Sequence, residues 1–103
     1  MSTVALIAKL PVQPGKRDEF ITAFSSMFPV VEDEEGTLVY AVHADDSDPD
    51  LVWVYELYTD AAALDVHSKS DGMASAIAAF GGLLAGAPEL HRLTPVRAKG
   101  LDV

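Results

Sequence analysis

Two side chains stand where their types suit proton chemistry. Glu56 interrupts the apolar run Val52-Trp53-Val54-Tyr55-Glu56-Leu57-Tyr58, and His67 follows Ala61-Ala62-Ala63-Leu64, on the helical face of Ala63 and Leu64. A strand alternates its faces, so Glu56 shares one with Val52, Val54 and Tyr58. On an interior strand covered on both sides, that carboxyl is partly desolvated, its pKa rises, and it accepts a proton near neutral pH. The plainer reading is a structural pair with Arg92 or Arg97 from a neighbouring strand. Histidine ordinarily titrates beside neutrality, so His67 is either a second proton-handling group or a hydrogen-bonded core residue. Tyr40, Trp53, Tyr55 and Phe80, with the methionines, fit two roles: substrate-binding walls of a cavity for an aromatic ligand, or plain core.

The other constellations fail on spacing. Asp46, Asp48 and Asp50 begin like a calcium loop, but Leu51 stands where glycine is needed and Leu57 where glutamate is needed. The segment is a solvated hairpin turn. His43, His67 and His91 lie too far apart for a local metal motif, and the chain has no cysteine. His43 and His91 read as surface or interface residues. No dinucleotide fingerprint, phosphate loop or nucleophile elbow occurs. Neither a metal nor an organic cofactor is expected.

The chain has 103 residues, one domain's worth, with 16 acidic against 7 basic residues and a net charge of −9. That balance argues against nucleic acid and anionic membrane as partners, because both require a basic footprint. Half the residues are apolar and 22% are charged, which excludes a disordered chain. The stretch MSTVALIAKLPVQPG lacks a basic leader region and a long apolar run, so the expectation is a cytoplasmic domain without a membrane segment.

The elements that must position these residues are readable from periodicity. Thr3 to Leu10 is a β-branched apolar strand. From Lys16, Phe20, Phe24, Met27, Phe28 and Val31 recur at helical steps, and Pro29 is expected to kink or end the helix near Phe28. The acidic end Glu32-Asp33-Glu34-Glu35 opposes the helix dipole, so it is expected to fray or to be capped by Gly36. Thr37 to Asp45 and Leu51 to Tyr58 form a hairpin. Asp60 caps a helix over Ala61 to Ser68, and Asp71 starts another in which Met73, Ile77, Phe80 and Leu84 step together. A last strand covers Glu89 to Lys99, with Pro95 implying an edge or a bulge. The order β-α-β-β-α-β is the split βαβ, ferredoxin-like α+β plan with a four-stranded antiparallel sheet. One sheet face takes the helices. The other, and the high apolar fraction for this length, call for a second copy of the chain, a homodimer.

The ordered set Pro14-Gly15-Lys16 with Phe20, Glu35-Gly36-Thr37-Leu38-Val39-Tyr40, Asp48-Pro49, and Tyr55-Glu56-Leu57-Tyr58-Thr59-Asp60-Ala61-Ala62-Ala63-Leu64 with His67 and Ser70 resembles the antibiotic biosynthesis monooxygenase domain, from Thr3 to about Val96. The resemblance implies a ferredoxin-like fold dimerising through its sheets into an α/β barrel. It also implies oxidation of quinols or polycyclic aromatic intermediates by O₂ without metal, flavin or haem. In such enzymes the deprotonated phenol passes an electron to O₂, and the protein supplies a dry cavity, orientation and proton handling. Glu56 matches the strand glutamate of the pattern. His67 matches the histidine after the Ala-Leu pair, expected at the mouth of a cleft between helix and sheet. Haem-degrading relatives need an asparagine, a tryptophan and a haem-ligating histidine where this chain has Ala8, His67 and Ile77, so haem chemistry is not expected. The same domain also serves non-redox isomerases of small metabolites and non-catalytic dimeric binding or stress proteins, and both readings stay open here.

Overall fold

The structure, a computed structural model, describes residues 2–103. β1 (Val4–Pro11), β2 (Thr37–Ala44), β3 (Leu51–Tyr58) and β4 (Glu89–Leu93) pair antiparallel in the order β2-β3-β1-β4. The first crossover holds α1 (Arg17–Phe24) and α2 (Met27–Glu32), and the second α3 (Ala61–Ser68) and α4 (Asp71–Phe80), closed by a 3-10 turn over Gly81–Leu83. This is the α+β ferredoxin-like plan.

The helices cover one face of the sheet. Phe20 and Phe24 of α1, Met27 and Val31 of α2, and Ala76 and Phe80 of α4 pack on Ala8, Leu10, Val52 and Val54. Phe20 meets Phe80 edge-on with centroids 5.1 Å apart, while Phe24 lies parallel to Tyr40 at 5.9 Å. Each phenyl removed from water contributes roughly 1.5–3 kcal/mol, and each aromatic pair adds about 0.5–1.5 kcal/mol. Lys9, Trp53 and His43 form one row across the opposite face, and Ile7, Tyr55 and Ala41 the next. On that face Ala5, Leu51 and Leu57 are nevertheless buried.

Local chemistry sets the element ends, in three places differently from expectation. The first helix breaks at Ser25-Ser26 rather than near Phe28, and Pro29 sits in the first turn of α2. There its missing amide removes no intrahelical bond, because first-turn donors have none. The Ser25 and Ser26 hydroxyls donate back to the Ile21 and Ala23 carbonyls at 2.8 and 2.9 Å. Gly36 is not the helix cap, since α2 ends at Glu32 with Asp33 as its cap residue. The last strand stops at Leu93, short of Lys99, because Pro95 has no amide to donate and disfavours regular pairing before it. It does occupy the sheet edge.

Other local expectations hold. Asp60 Oδ1 accepts from the Ala63 amide at 2.8 Å, capping α3, and α4 starts at Asp71, where Ser70, not marked as a cap by the sequence, accepts through Oγ from the Met73 amide at 3.0 Å. In the hairpin turn, Asp45 Oδ1 accepts from the amides of Ser47 and Asp48 at 2.9 and 2.8 Å, and Asp45 Oδ2 accepts from the Trp53 indole at 2.7 Å. The Trp53 bond, then the backbone amides, hold the Asp45 carboxyl below the usual carboxylate range. Among the described residues no helix is long and apolar enough to cross a membrane.

Candidate active site

Alternation along β3 sends Glu56 and Tyr58 to the helix-covered face, beside Val52 and Val54. Tyr40 pairs across β2 with Glu56, and Thr37 pairs with Tyr58. Thr37 and Tyr40 are three positions apart, which in a regular strand would place them on opposite faces. A bulge between Thr37 and Val39 absorbs one residue, so both face the helices. α3 brings His67 over this corner, and the segment after α2 brings Glu34.

The turn that carries Glu34 approaches α3 closely because residue 36 is glycine. A Cβ at Gly36 would lie 2.5 Å from the Ala63 Cβ and 3.2 Å from Thr59 Oγ1. The Gly36 carbonyl accepts from the Thr59 amide at 2.9 Å, which holds the approach.

These elements assemble a buried polar chain. His67 Nδ1 lies 2.9 Å from Glu34 Oε1, which also accepts from the Thr37 hydroxyl at 2.9 Å. His67 Nε2 lies 3.8 Å from Glu56 Oε1, longer than a hydrogen bond. The Tyr58 hydroxyl donates to the same Glu56 oxygen. The imidazole is flanked by the Tyr40 and Tyr58 rings, with centroids 5.4 and 5.5 Å away. His67 is 2% exposed and Glu56 5%.

Burial pushes the Glu56 carboxyl above its usual range; the Tyr58 hydrogen bond and, in its charged form, His67 oppose that rise, and the Glu34 charge adds to it. Burial, reinforced by the Glu56 and Glu34 charges, also drives the Tyr40 phenol well above its ordinary range, so Tyr40 remains a neutral donor. Tyr58 is shifted the same way, by burial first and then by Glu56.

A cavity of about 380 Å³ opens beside this chain, between α4 and the sheet. Its walls are apolar, built from Leu6, Leu10, Phe24, Val54, Ile77 and Phe80, except where Tyr40, Glu56, His67 and Ser68 join them. An apolar enclosure with a few convergent polar groups is the usual form of a small-molecule site, and perturbed carboxyls cluster at such sites. The arrangement can take a proton from a bound hydroxyl and offer a neutral donor to the resulting anion.

Of the residues singled out by sequence, Glu56, His67, Tyr40 and Phe80 meet at this cavity. His67 is buried within the cleft rather than at an open mouth. Trp53 and Tyr55 do not reach it. The alternation that turns Glu56 inward turns both of them to the opposite face, where the Lys9 ammonium lies 5.7 Å from the Trp53 ring centroid. Glu56 is partnered by Tyr58 and His67, not by Arg92 or Arg97. His43 and His91 are exposed, and His91 pairs with Glu89 at 3.4 Å. Ala8 and Ile77 both line the cavity. Among the described residues no group of three or more histidine, aspartate or glutamate side chains is arranged to hold a metal ion.

Sequence reasoning missed Glu34 and Tyr58. Glu34 lies in an acidic run that reads as a solvated helix end, and its partner stands 33 positions away. Tyr58 reads as core, yet its position two residues beyond Glu56 on one strand was the available signal.

Comparison with known proteins agrees with this picture. The family model described as antibiotic biosynthesis monooxygenase matches residues 3–79. A Caulobacter crescentus protein provisionally described as an antibiotic biosynthesis monooxygenase is 34% identical, with a TM-score of 0.87, covering 93% of this chain and 92% of its own. A Chloroflexus aurantiacus protein with the same provisional description is 29% identical, with a TM-score of 0.83, covering 98% of this chain and 100% of its own. Rv0793 from Mycobacterium tuberculosis is 26% identical, with a TM-score of 0.84, covering 94% and 98% respectively. The search of curated proteins finds no match. With a family model spanning most of the chain and the fold shared along nearly all of it, the chain belongs to the antibiotic biosynthesis monooxygenase family.

Proposed function

We propose that this protein is a monooxygenase that oxidises a phenolic, quinol-type or polycyclic aromatic small molecule with O₂ and needs no bound cofactor. The observation that carries this reading is the junction of Glu56, His67 and Tyr40 with an otherwise apolar cavity of about 380 Å³. A flat aromatic body suits the walls, and its hydroxyl suits the polar corner.

The reaction begins with proton transfer from the phenolic hydroxyl to Glu56 or His67. A simple phenol ionises at about pH 10, so a positioned base is needed at neutrality. The phenolate gives one electron to O₂, and the phenoxyl radical and superoxide recombine at ring carbon. The resulting peroxide loses the proton on that carbon while its O–O bond breaks. One oxygen stays as the new carbonyl and the other leaves as water, taking the proton the base received earlier. Tyr40, held neutral, donates to the developing oxyanion. The dry walls keep the radical pair from solvent.

The helix-free sheet face, with Ile7, Trp53 and Tyr55 half-buried, supports a homodimer formed through the sheets.

The test is oxygen uptake with a panel of hydroquinones and anthrones, followed by mass analysis of products formed under isotope-labelled O₂. Uptake with one labelled oxygen in the product carbonyl supports the reading. Substrate turnover without uptake identifies a non-redox enzyme such as an isomerase. Saturable binding without turnover identifies a binding protein.

A further inference from the structure

We propose that Glu34 is a positioning residue for His67: it holds the imidazole in the tautomer protonated on Nδ1, so that the lone pair of Nε2 faces Glu56 and the cavity. The consequence for turnover rests on the oxidation proposed above; the effect on the tautomer does not.

Three features of the structure lead to this. Glu34 Oε1 lies 2.9 Å from Nδ1, a hydrogen-bond distance, whereas the nearest carboxylate oxygen to Nε2 is at 3.8 Å. An ionised carboxylate only accepts, so the proton of that short contact belongs to Nδ1. The same oxygen accepts from Thr37 Oγ1 at 2.9 Å, which fixes its direction independently of His67. Finally, the ring is 2% exposed and lies between the rings of Tyr40 and Tyr58, so water does not substitute freely for a lost partner.

The device is built from backbone as well as side chains. The bulge in β2 turns Thr37 toward Glu34, and Gly36 lets the turn close on α3. Orientation of a functional imidazole by a carboxylate on its far nitrogen leaves the near nitrogen as the base. Glu56 Oε1 and His67 Nε2 then flank the same end of the cavity, 3.8 Å apart, so that a substrate hydroxyl lying beside them in the cavity can reach either.

Long-range proton–nitrogen spectra of the full chain, with isotope-labelled histidine, test the tautomer. Exposed His43 and His91 serve as internal references, and His67→Asn assigns the third signal. The expected result near neutral pH is a protonated Nδ1 in the wild type and in Glu34→Gln, whose amide oxygen still accepts. In Glu34→Ala that preference is lost. An Nε2-protonated wild type, or an unchanged tautomer in Glu34→Ala, overturns the proposal. If Glu34→Ala does not fold, Thr37→Val provides the second reading: it leaves Glu34 in place but undirected, and a measurable fraction of the Nε2-protonated form is expected. Oxygen uptake with a naphthohydroquinone gives the second arm. Glu34→Ala is expected to lower kcat by about 10–100-fold with KM little changed, and an unchanged kcat overturns the positioning role. A wild type that consumes no oxygen with any quinol removes the proposed oxidation, while the tautomer result stands by itself.

Discussion

The Tyr58 hydroxyl donates to Oε1 of Glu56, two residues back along β3 and on the same face of the sheet. This bond favours the ionised carboxylate and opposes the rise caused by burial. Tyr58→Phe removes the donor and keeps the ring. The Glu56 carboxyl is then expected to ionise at still higher pH, and the acid limb of the kcat/KM profile should move to higher pH. A pH–rate series checks this, and an unmoved limb assigns that limb to another group. The lost bond leaves a buried acceptor, so a destabilisation of about 1–3 kcal/mol is expected in urea unfolding.

Glu56 also links stability to pH. In the unfolded chain its carboxyl titrates at about 4.3; in the folded protein burial raises that value. Between the two, the folded state holds a proton that the unfolded state has released. Stability therefore falls as pH rises through this window, and the contribution is intact only below it. Glu56→Gln cannot ionise and still accepts from Tyr58. Its melting temperature relative to the wild type is expected to rise from about pH 4 to about pH 8, measured by calorimetry in matched buffers. A difference that does not change with pH contradicts the assignment.

Gly36→Ala forces a methyl to within 2.5 Å of the Ala63 Cβ, so the turn or α3 must move. A loss of about 1–3 kcal/mol is expected, typical of overpacking. Because that movement separates Glu34 from α3, the nitrogen signals of His67 should change as they do in Glu34→Ala. Chemical denaturation and the histidine spectra report the two effects separately.

The proposed dimer places Trp53 and Tyr55 at an interface rather than at the substrate. Light scattering at micromolar concentration is expected to give twice the 11.0 kDa chain mass. Tyr55→Asp is expected to weaken association by about tenfold or more, as loss of a buried interface aromatic does. A wild-type mass equal to one chain contradicts the interface.

Much of this fold can be read from local rules, because each element announces itself within a few residues. Asp60 caps the helix that follows it, α4 starts at Asp71, and β3 spans the residues its apolar run marks. Parity groups Glu56 with Val52, Val54 and Tyr58, but only the packing of the helices decides that this side faces inward. Parity also separates Trp53 and Tyr55 from Glu56, since odd-numbered neighbours point to the other face, so Tyr40, Trp53, Tyr55 and Phe80 could not all line one cavity with it. What local rules cannot supply is pairing over distance. Glu34 is one of four consecutive acids, and only the folded turn selects it for His67. The bulge at Leu38 is invisible as well, because no residue type there demands it, yet it decides where Thr37 and Tyr40 point. Gly36 announces a special position, but the close approach to Ala63, rather than a left-handed cap, is its reason.

Transfer of the substrate proton to Glu56 or His67 is best measured by initial oxygen-uptake rates on a quinol or anthrone substrate. Wild type, Glu56→Gln and His67→Ala are compared after circular dichroism confirms that each is folded. Positioned acid–base groups contribute about 10²–10⁴-fold, and at least one variant is expected to lose turnover within that range. If both folded variants consume oxygen at the wild-type rate, the cavity works without either residue as base, which contradicts the proposed proton transfer.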